Sequence, residues 1–287
     1  MEAHMEKRQF GTTTEKLSVV GFGGIIVMNE DPKAAAKMVA RAVDRGVNYF
    51  DVAPSYGDAE VKLGPALTPY RSSVFLACKT GKRNARESAE ELNKSLAHLK
   101  TDHFDLYQLH GVTTMEEVRE ILGPGGAMET FVKAQKEGKV RFLGFSAHSE
   151  EAALALMDAF AFNSILFPFN WASWLKRDFG RVVLARAQEK GLARLALKTL
   201  AKRQWREGEE KRWPKCWYKP VDTPEEALSA VRFTLSMPVT AGVSPGHMEL
   251  FEWMCDAVDK LGPLAPAEEA TLRLAAADLN VIFADAR

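Results

Sequence analysis

The feature that most limits what this chain can fold into is a rhythm. Strand-length apolar runs alternate with amphipathic segments of helix length through nearly the whole sequence. The runs are 19–24, a short one ending at Asp51, then 74–79, 104–110, 140–146, 164–170, 192–198 and 239–243. Between and after them the 3.6-residue pattern predicts helices over 33–45, 56–67, 87–99, 127–137, 150–160 and 179–190. A helix opened by Thr223 and Pro224 follows, and two more are expected over 248–261 and 266–283. Eight strands, each followed by a helix and joined without long linkers, predict an α/β protein. The specific expectation is a (β/α)8 TIM barrel with an N-terminal hairpin near 10–18 and extra C-terminal helices. One barrel domain accounts for 1–287, with 1–4 set aside as an expression remnant ahead of a second methionine. The rival is a doubly wound sheet. Gly21-x-Gly23-Gly24 looks like a dinucleotide turn, but Ile26 stands where the third glycine belongs, and a lone Gly-x-Gly is weak.

Composition narrows the function. The 38 basic residues balance 38 acidic ones, so charge gives no reason to expect nucleic acid or an anionic membrane as partner. Cys78, Cys216 and Cys255 include no Cys-x-x-Cys pair, which speaks against a disulfide framework, a structural zinc or an iron–sulfur cluster. No metal site is expected. No apolar run is long enough to span a bilayer and the N-terminus does not look like a secretory leader, so the expected location is the cytoplasm.

In a parallel barrel the active site lies at the C-terminal ends of the strands. Asp51, Lys79, His110, Ser146, Asn170 and Lys198 all fall there. One polar residue at a barrel mouth means little; six at successive strand ends do not look accidental. Asp51 asks for a cation, because a buried carboxylate is rare unless paired, and Lys79 is the natural partner. Tyr56 follows Asp51 by one turn of chain. A phenol has a pKa of about 10, and the Lys79 ammonium is expected to lower it. His110 can donate to a carbonyl oxygen. Such a set suits proton delivery to an oxygen as charge develops there, with hydride supplied by a cofactor.

These residues sit in motifs that resemble the aldo-keto reductases. The matching pieces are Gly21-Phe-Gly-Gly24, Phe50-Asp-Val-Ala-Pro-Ser-Tyr-Gly57 with Glu60 and Leu63-Gly64, Lys79, Asp105-Leu-Tyr-Gln-Leu-His110, Gly138 to Ser146, and Ser244-Pro-Gly246. The resemblance implies a barrel, a nicotinamide cofactor across its mouth, and Asp51, Tyr56, Lys79 and His110 as catalytic tetrad with Tyr56 the general acid. It implies a small carbonyl compound as substrate. It also puts Ser146 at the nicotinamide amide and Ser244 and Gly246 near the cofactor phosphates, and Gly23, Gly24, Asp51, Asn170 and Lys198 are expected at the cofactor with them. NADP(H) is favoured and NAD(H) is the alternative. The arginine that commonly holds the adenosine phosphate is missing near His247 and Met248, with Lys198, Lys202 or Arg203 as replacements.

Ala147, Leu166 and Leu197 stand where the family often carries an asparagine, a glutamine and an aromatic. They motivate a second reading: a catalytically weak barrel that senses nicotinamide cofactors or binds a partner. Residues 201–220 interleave Trp205, Trp213 and Trp217 with basic side chains. A lid over cofactor and substrate is the expected role, with Trp205 and Trp217 in it; a single-stranded nucleic-acid surface is the rival. Trp171 and Trp174 belong either to an apolar substrate pocket or to the core. Cys78 should turn towards the helices by strand alternation, and His148, just past Ser146, either lines the mouth or, as the preferred reading, sits in a surface loop.

Overall fold

The computed structural model describes residues 5–283; the suspected remnant at 1–4 lies outside them. A hairpin, β1 (Lys7–Gln9) and β2 (Lys16–Ser18), precedes the barrel. The barrel strands are β3 (Val20–Gly23), β4 (Tyr49–Asp51), β5 (Phe75–Thr80), β6 (Phe104–Val112), β7 (Val140–Ala147), β8 (Ser164–Phe167), β9 (Ala193–Ala196) and β12 (Ala241–Val243). They are parallel and close in the order β12-β3-β4-β5-β6-β7-β8-β9. Between β9 and β12 an unforeseen two-stranded ribbon, β10 (Ala201–Arg203) and β11 (Lys219–Pro220), brackets the Trp-rich segment.

The helices are α1 (Pro32–Asp44), α2 (Ala59–Leu67), α3 (Ala85–His98), α4 (Met115–Leu122), α5 (Ala127–Lys136), α6 (Glu150–Ala159), α7 (Trp171–Arg177), α8 (Arg181–Glu189), α9 (Pro224–Ser236), α10 (Met248–Val258) and α11 (Pro266–Ala277). Two of them, α4 and α7, were not anticipated. Each is short and each is started by a side-chain cap: Thr114 forms a capping box with Glu117, and Asn170 caps α7. No helix among the described residues is long and apolar enough to cross a membrane.

Strand alternation divides the apolar residues into two cores. Tyr49, Phe75, Ala77, Leu106, Leu166, Leu195, Ala241 and Val243 fill the barrel interior, and Phe10 and Leu17 of the hairpin plug its lower end. The larger core lies between strands and helices. Because β4, β5 and β6 alternate with period two, Asp51, Lys79 and His110 continue the inward rows begun by Tyr49, Ala77 and Gln108. Asp51, Lys79 and His110 therefore gather at the upper end of the interior, while lower down Ser164, in the inward row of Leu166, adds a buried hydroxyl.

Glycine permits two close approaches at that end. A Cβ on Gly21 would fall 2.5 Å from the Tyr49 ring, and one on Gly23 would fall 2.3 Å from the Ser244 carbonyl oxygen. Gly23→Ala must push the backbone after β12 away from β3, so a loss of about 1–3 kcal/mol is expected. Urea unfolding of the variant measures it; an unchanged midpoint would show that this contact is soft.

Candidate active site

The site begins with a buried ion pair. Lys79, 1% exposed, donates to Asp51 Oδ1, and the other oxygen of Asp51 accepts from Gln108 Nε2 at 3.0 Å and from the Tyr49 hydroxyl at 3.3 Å. The carboxylate is thus surrounded by donors, as a charge in a low-dielectric interior requires. Burial alone would push the Lys79 ammonium down, but Asp51 and Tyr56 more than offset it and hold the amine above its ordinary value.

Tyr56 comes next, and not from a helix. The chain turns at Ala53–Tyr56, Gly57 takes a φ of +57°, and α2 starts only at Ala59. Pro54 and the left-handed Gly57 stop the helix from beginning at the phenol. The ring lies edge-on to His110, centroids 5.8 Å apart, and the Lys79 amine is 5.3 Å from its centroid. The phenol is raised above its ordinary value: burial raises it more than the Lys79 ammonium lowers it. The expected lowering is therefore corrected, since desolvation is the larger effect here. Burial, reinforced by the positive charge of Lys79, holds the His110 imidazole well below its usual range, so it is neutral at pH 7. Its Nδ1 lies 3.4 Å from Ser55 Oγ, and Arg83 donates to its backbone carbonyl at 2.8 Å.

These groups face a cavity of about 190 Å³. Ser146, Lys198, Ser244 and Gly246 also line it, with apolar walls from Ile25, Leu166 and Leu197. Lys215, Cys216, Trp217 and Tyr218 contribute from the 201–220 segment, which is therefore a roof over the site. Of the tryptophans expected in pocket or lid, only Trp217 lines the cavity. Trp205 is held in the lid by donating to the Cys216 carbonyl at 3.0 Å. Trp171 is buried in the outer core, and Trp174 packs partly against it under Arg181.

Three residues expected at the cofactor are spent on structure. Gly23 donates its backbone N–H to Ser244 Oγ at 3.0 Å, and Gly24 packs against Val52. Asn170 is fully buried; besides capping α7 it donates to the carbonyls of Lys198 at 3.0 Å and Ala201 at 2.8 Å. It thereby fixes a turn in which Lys198 has a φ of +63°, a conformation a side chain adopts only when its surroundings enforce it. Lys202 and Arg203, offered for an adenosine phosphate, are occupied as well: Lys202 by Asp222 and Glu226, Arg203 by Glu209. Arg212, Lys215 and Lys219 of the same segment also meet carboxylates. Five of the seven basic residues of 201–220 are thus paired with carboxylates.

Gln108 and Tyr49 enter the site unannounced, and His148 takes the place at the mouth that was its less favoured reading. Gln108 and Tyr49 lie two residues before His110 and Asp51 on their strands, so period two alone would have found them. His148 lies beyond the end of β7. It lines the cavity, accepts from Lys198 Nζ at 3.3 Å and packs against Phe283, and is not the surface histidine expected. Cys78 does turn outward, into the core between barrel and helices beside Glu60, and its thiol is pushed well up, first by burial.

Comparison with known proteins agrees with this geometry. The Aldo/keto reductase family model matches residues 20–273. The chain belongs to the aldo/keto reductase family. It is 34% identical over 157 residues to the uncharacterised oxidoreductase YqkF of Bacillus subtilis, covering 50% of this chain and 49% of that one. It is 30% identical over 169 residues to the 6-dehydroglucose reductase of Novosphingobium aromaticivorans, covering 52% and 54%. The chain spans about half the length of the curated relatives it matches. Among solved structures, the holo form of an aldo-keto reductase from Bacillus halodurans superposes with a TM-score of 0.76 at 25% identity, covering 96% of this chain and 98% of that one.

For this family member the ion pair is the most consequential contact. Asp51→Asn leaves the Lys79 ammonium buried without its partner, and a loss of about 3–5 kcal/mol is expected. Adding Lys79→Met should recover much of that loss in urea unfolding; a double variant no more stable than the single one would contradict the pair's energetic role.

Proposed function

We propose that the protein reduces an aldehyde or ketone to an alcohol, or runs the reverse, with Tyr56 as the proton donor. The observation that carries the reading is the placement of a half-buried phenol beside a charged amine and a neutral imidazole, all facing one cavity. The inner part of the cavity suits the nicotinamide ring of a dinucleotide. Leu166, Leu197 and Ile25 give apolar faces for a planar ring, Ser146 and Ser244 give hydroxyls, and the one carboxylate among the described lining residues, Asp51, is committed to Lys79. Ser146, Ser244 and Gly246 are the residues assigned to hold it. A bound reduced nicotinamide supplies the hydride to the carbonyl carbon.

The residues of the chain do the rest. As the π electron pair moves onto the carbonyl oxygen, the Tyr56 O–H bond breaks and the phenol gives its proton to that oxygen. Lys79 stands against the phenolate left behind, and solvent returns the proton. His110, with Nδ1 accepting from Ser55, presents Nε2–H to the carbonyl oxygen and fixes its direction. Asp51, Gln108 and Tyr49 keep the Lys79 amine in place. The balance is one carbonyl, one hydride and one proton in, one alcohol out.

Leu166, Leu197 and Ala147 favour the second reading, a barrel that binds the nucleotide without turnover. Tyr56→Phe separates the two. Loss of roughly 100-fold or more in kcat/KM for a simple aldehyde, with the nucleotide Kd from protein-fluorescence titration of NADPH and NADH kept within a few-fold, is the expected result. Equal turnover by both proteins would remove Tyr56 from the chemistry, and binding without any turnover in the unaltered protein would favour the sensor.

A further inference from the structure

One amine in the cavity has no carboxylate partner among the described residues. Lys198 stands two residues after β9, its turn is clamped by Asn170, and its amine reaches into the cavity to hydrogen-bond His148 at 3.3 Å. Two aromatic rings enclose it: the amine lies 5.5 Å from the centroid of Trp217 and 5.4 Å from that of Phe283. Phe283 is carried there by the segment after α11, which is tied down by Gln204 donating to Asn280 O at 2.8 Å and by Lys176 donating to Leu279 O at 2.7 Å. None of the groups enclosing the amine comes from β3 or from the Ser244–Gly246 loop. Three separate parts of the chain, the end of β7, the lid and the C-terminal segment, therefore build a box around one ammonium. Such a box costs stability, because a half-buried cation whose neighbours among the described residues are an imidazole and two ring faces is only partly compensated.

Resting on the reading of the site as a carbonyl reductase, we propose that Lys198, with His148, Trp217 and Phe283 around it, is the subsite for a carboxylate on the substrate. The preferred substrates are then short oxo acids. Lys198 has donors left after bonding His148, and a carboxylate supplies the acceptors and the missing negative charge. Lys198 lines the same small cavity as Tyr56, Lys79 and His110, so a carboxylate held there lies close to the reacting carbonyl. The small cavity and that proximity limit the spacer to a few carbons.

The amine also titrates where this role can be read. Burial, with a smaller push from Lys79, brings Lys198 down to about 7. Its surroundings contribute no second switch near that value. His148 is pushed by burial to about 3 and His110 is also lowered by burial. The remaining ionisable groups lining the cavity among the described residues are Lys79, held above its usual value and bonded to Asp51, the phenols of Tyr56 and Tyr218, both raised by burial, the Cys216 thiol, pushed by burial up to about 11, and Lys215 paired with Glu30. Between about 7 and the ordinary value of 10.5 the unfolded chain holds a proton on this lysine that the folded one does not. Stability therefore rises with pH across that window.

The experiment compares 4-oxobutanoate with its methyl ester, equal in chain but lacking the charge, in the unaltered protein, Lys198→Met and Lys198→Arg. The unaltered protein is expected to prefer the acid. Lys198→Met should lower the acid-to-ester ratio of kcat/KM by roughly 10- to 100-fold, and Lys198→Arg should keep most of it. The acid's kcat/KM should fall as pH rises through about 7, and Lys198→Met should lose the rise of stability with pH. An unchanged ratio in Lys198→Met, or a weakened NADPH Kd with the ratio intact, overturns the proposal and puts the amine at the cofactor. If neither compound turns over in any protein, quenching of tryptophan fluorescence by 4-hydroxybutanoate decides the subsite alone. Binding lost in Lys198→Met upholds it while the reductase reading fails, and equal binding by both proteins overturns it.

Discussion

The Lys79–Asp51 pair is the interaction on which the site depends. A barrel interior is a place of low dielectric, where an unpaired ammonium would give up its proton. Asp51 prevents that, and Gln108 and Tyr49 prevent the carboxylate from turning away. The retained charge then sets the electrostatics around it: it opposes the rise of the Tyr56 phenol and helps to keep His110 neutral and Lys198 low. One buried cation thus sets the electrostatics of a phenol, a neutral imidazole and a second, weaker amine base.

The packing below the pair keeps it dry. Phe10 and Leu17 close the lower end of the barrel, and Phe75, Leu106 and Leu195 fill the layers between that plug and the polar rim. Above the pair, the 201–220 segment forms the roof. Its cations are matched with carboxylates on α9, α10 and the chain around α1, which secures the lid to the rim. Trp217 remains 58% exposed at its edge while Trp213 is buried as its anchor. The lid therefore has a fixed base and an open edge, a geometry that lets small molecules enter without unfolding the segment.

The strands and their upper ends were legible because alternation and strand length are properties of the local sequence, and inward rows such as Phe75-x-Ala77-x-Lys79 state their own direction. The closed barrel and the convergence of Asp51, Lys79 and His110 followed from that. Tyr56 was found as a residue but placed on a helix, because the stop imposed by Gly57 depends on a backbone angle that spacing does not reveal. Asn170 has the right residue type at the right strand end for a ligand contact, yet the chain after β9 needs its amide more. Trp171, Trp174 and Trp205 turn away from the cavity, Trp174 beneath Arg181 and Trp205 onto the Cys216 carbonyl, and no local pattern tells a core indole from a pocket one. His148 was misplaced for the same reason: its partners, Lys198 and Phe283, lie 50 and 135 positions further along the chain. The direction of the Tyr56 shift needed the competition between burial and charge, which only the assembled site supplies.

The most direct measurement is a crystal structure with oxidised nucleotide and an alcohol product bound together. The account predicts the alcohol oxygen within about 2.6–3.2 Å of the Tyr56 hydroxyl, with His110 Nε2 as its second neighbour. An alcohol seated elsewhere in the cavity, or a nicotinamide bound away from Tyr56 and Lys79, would contradict it.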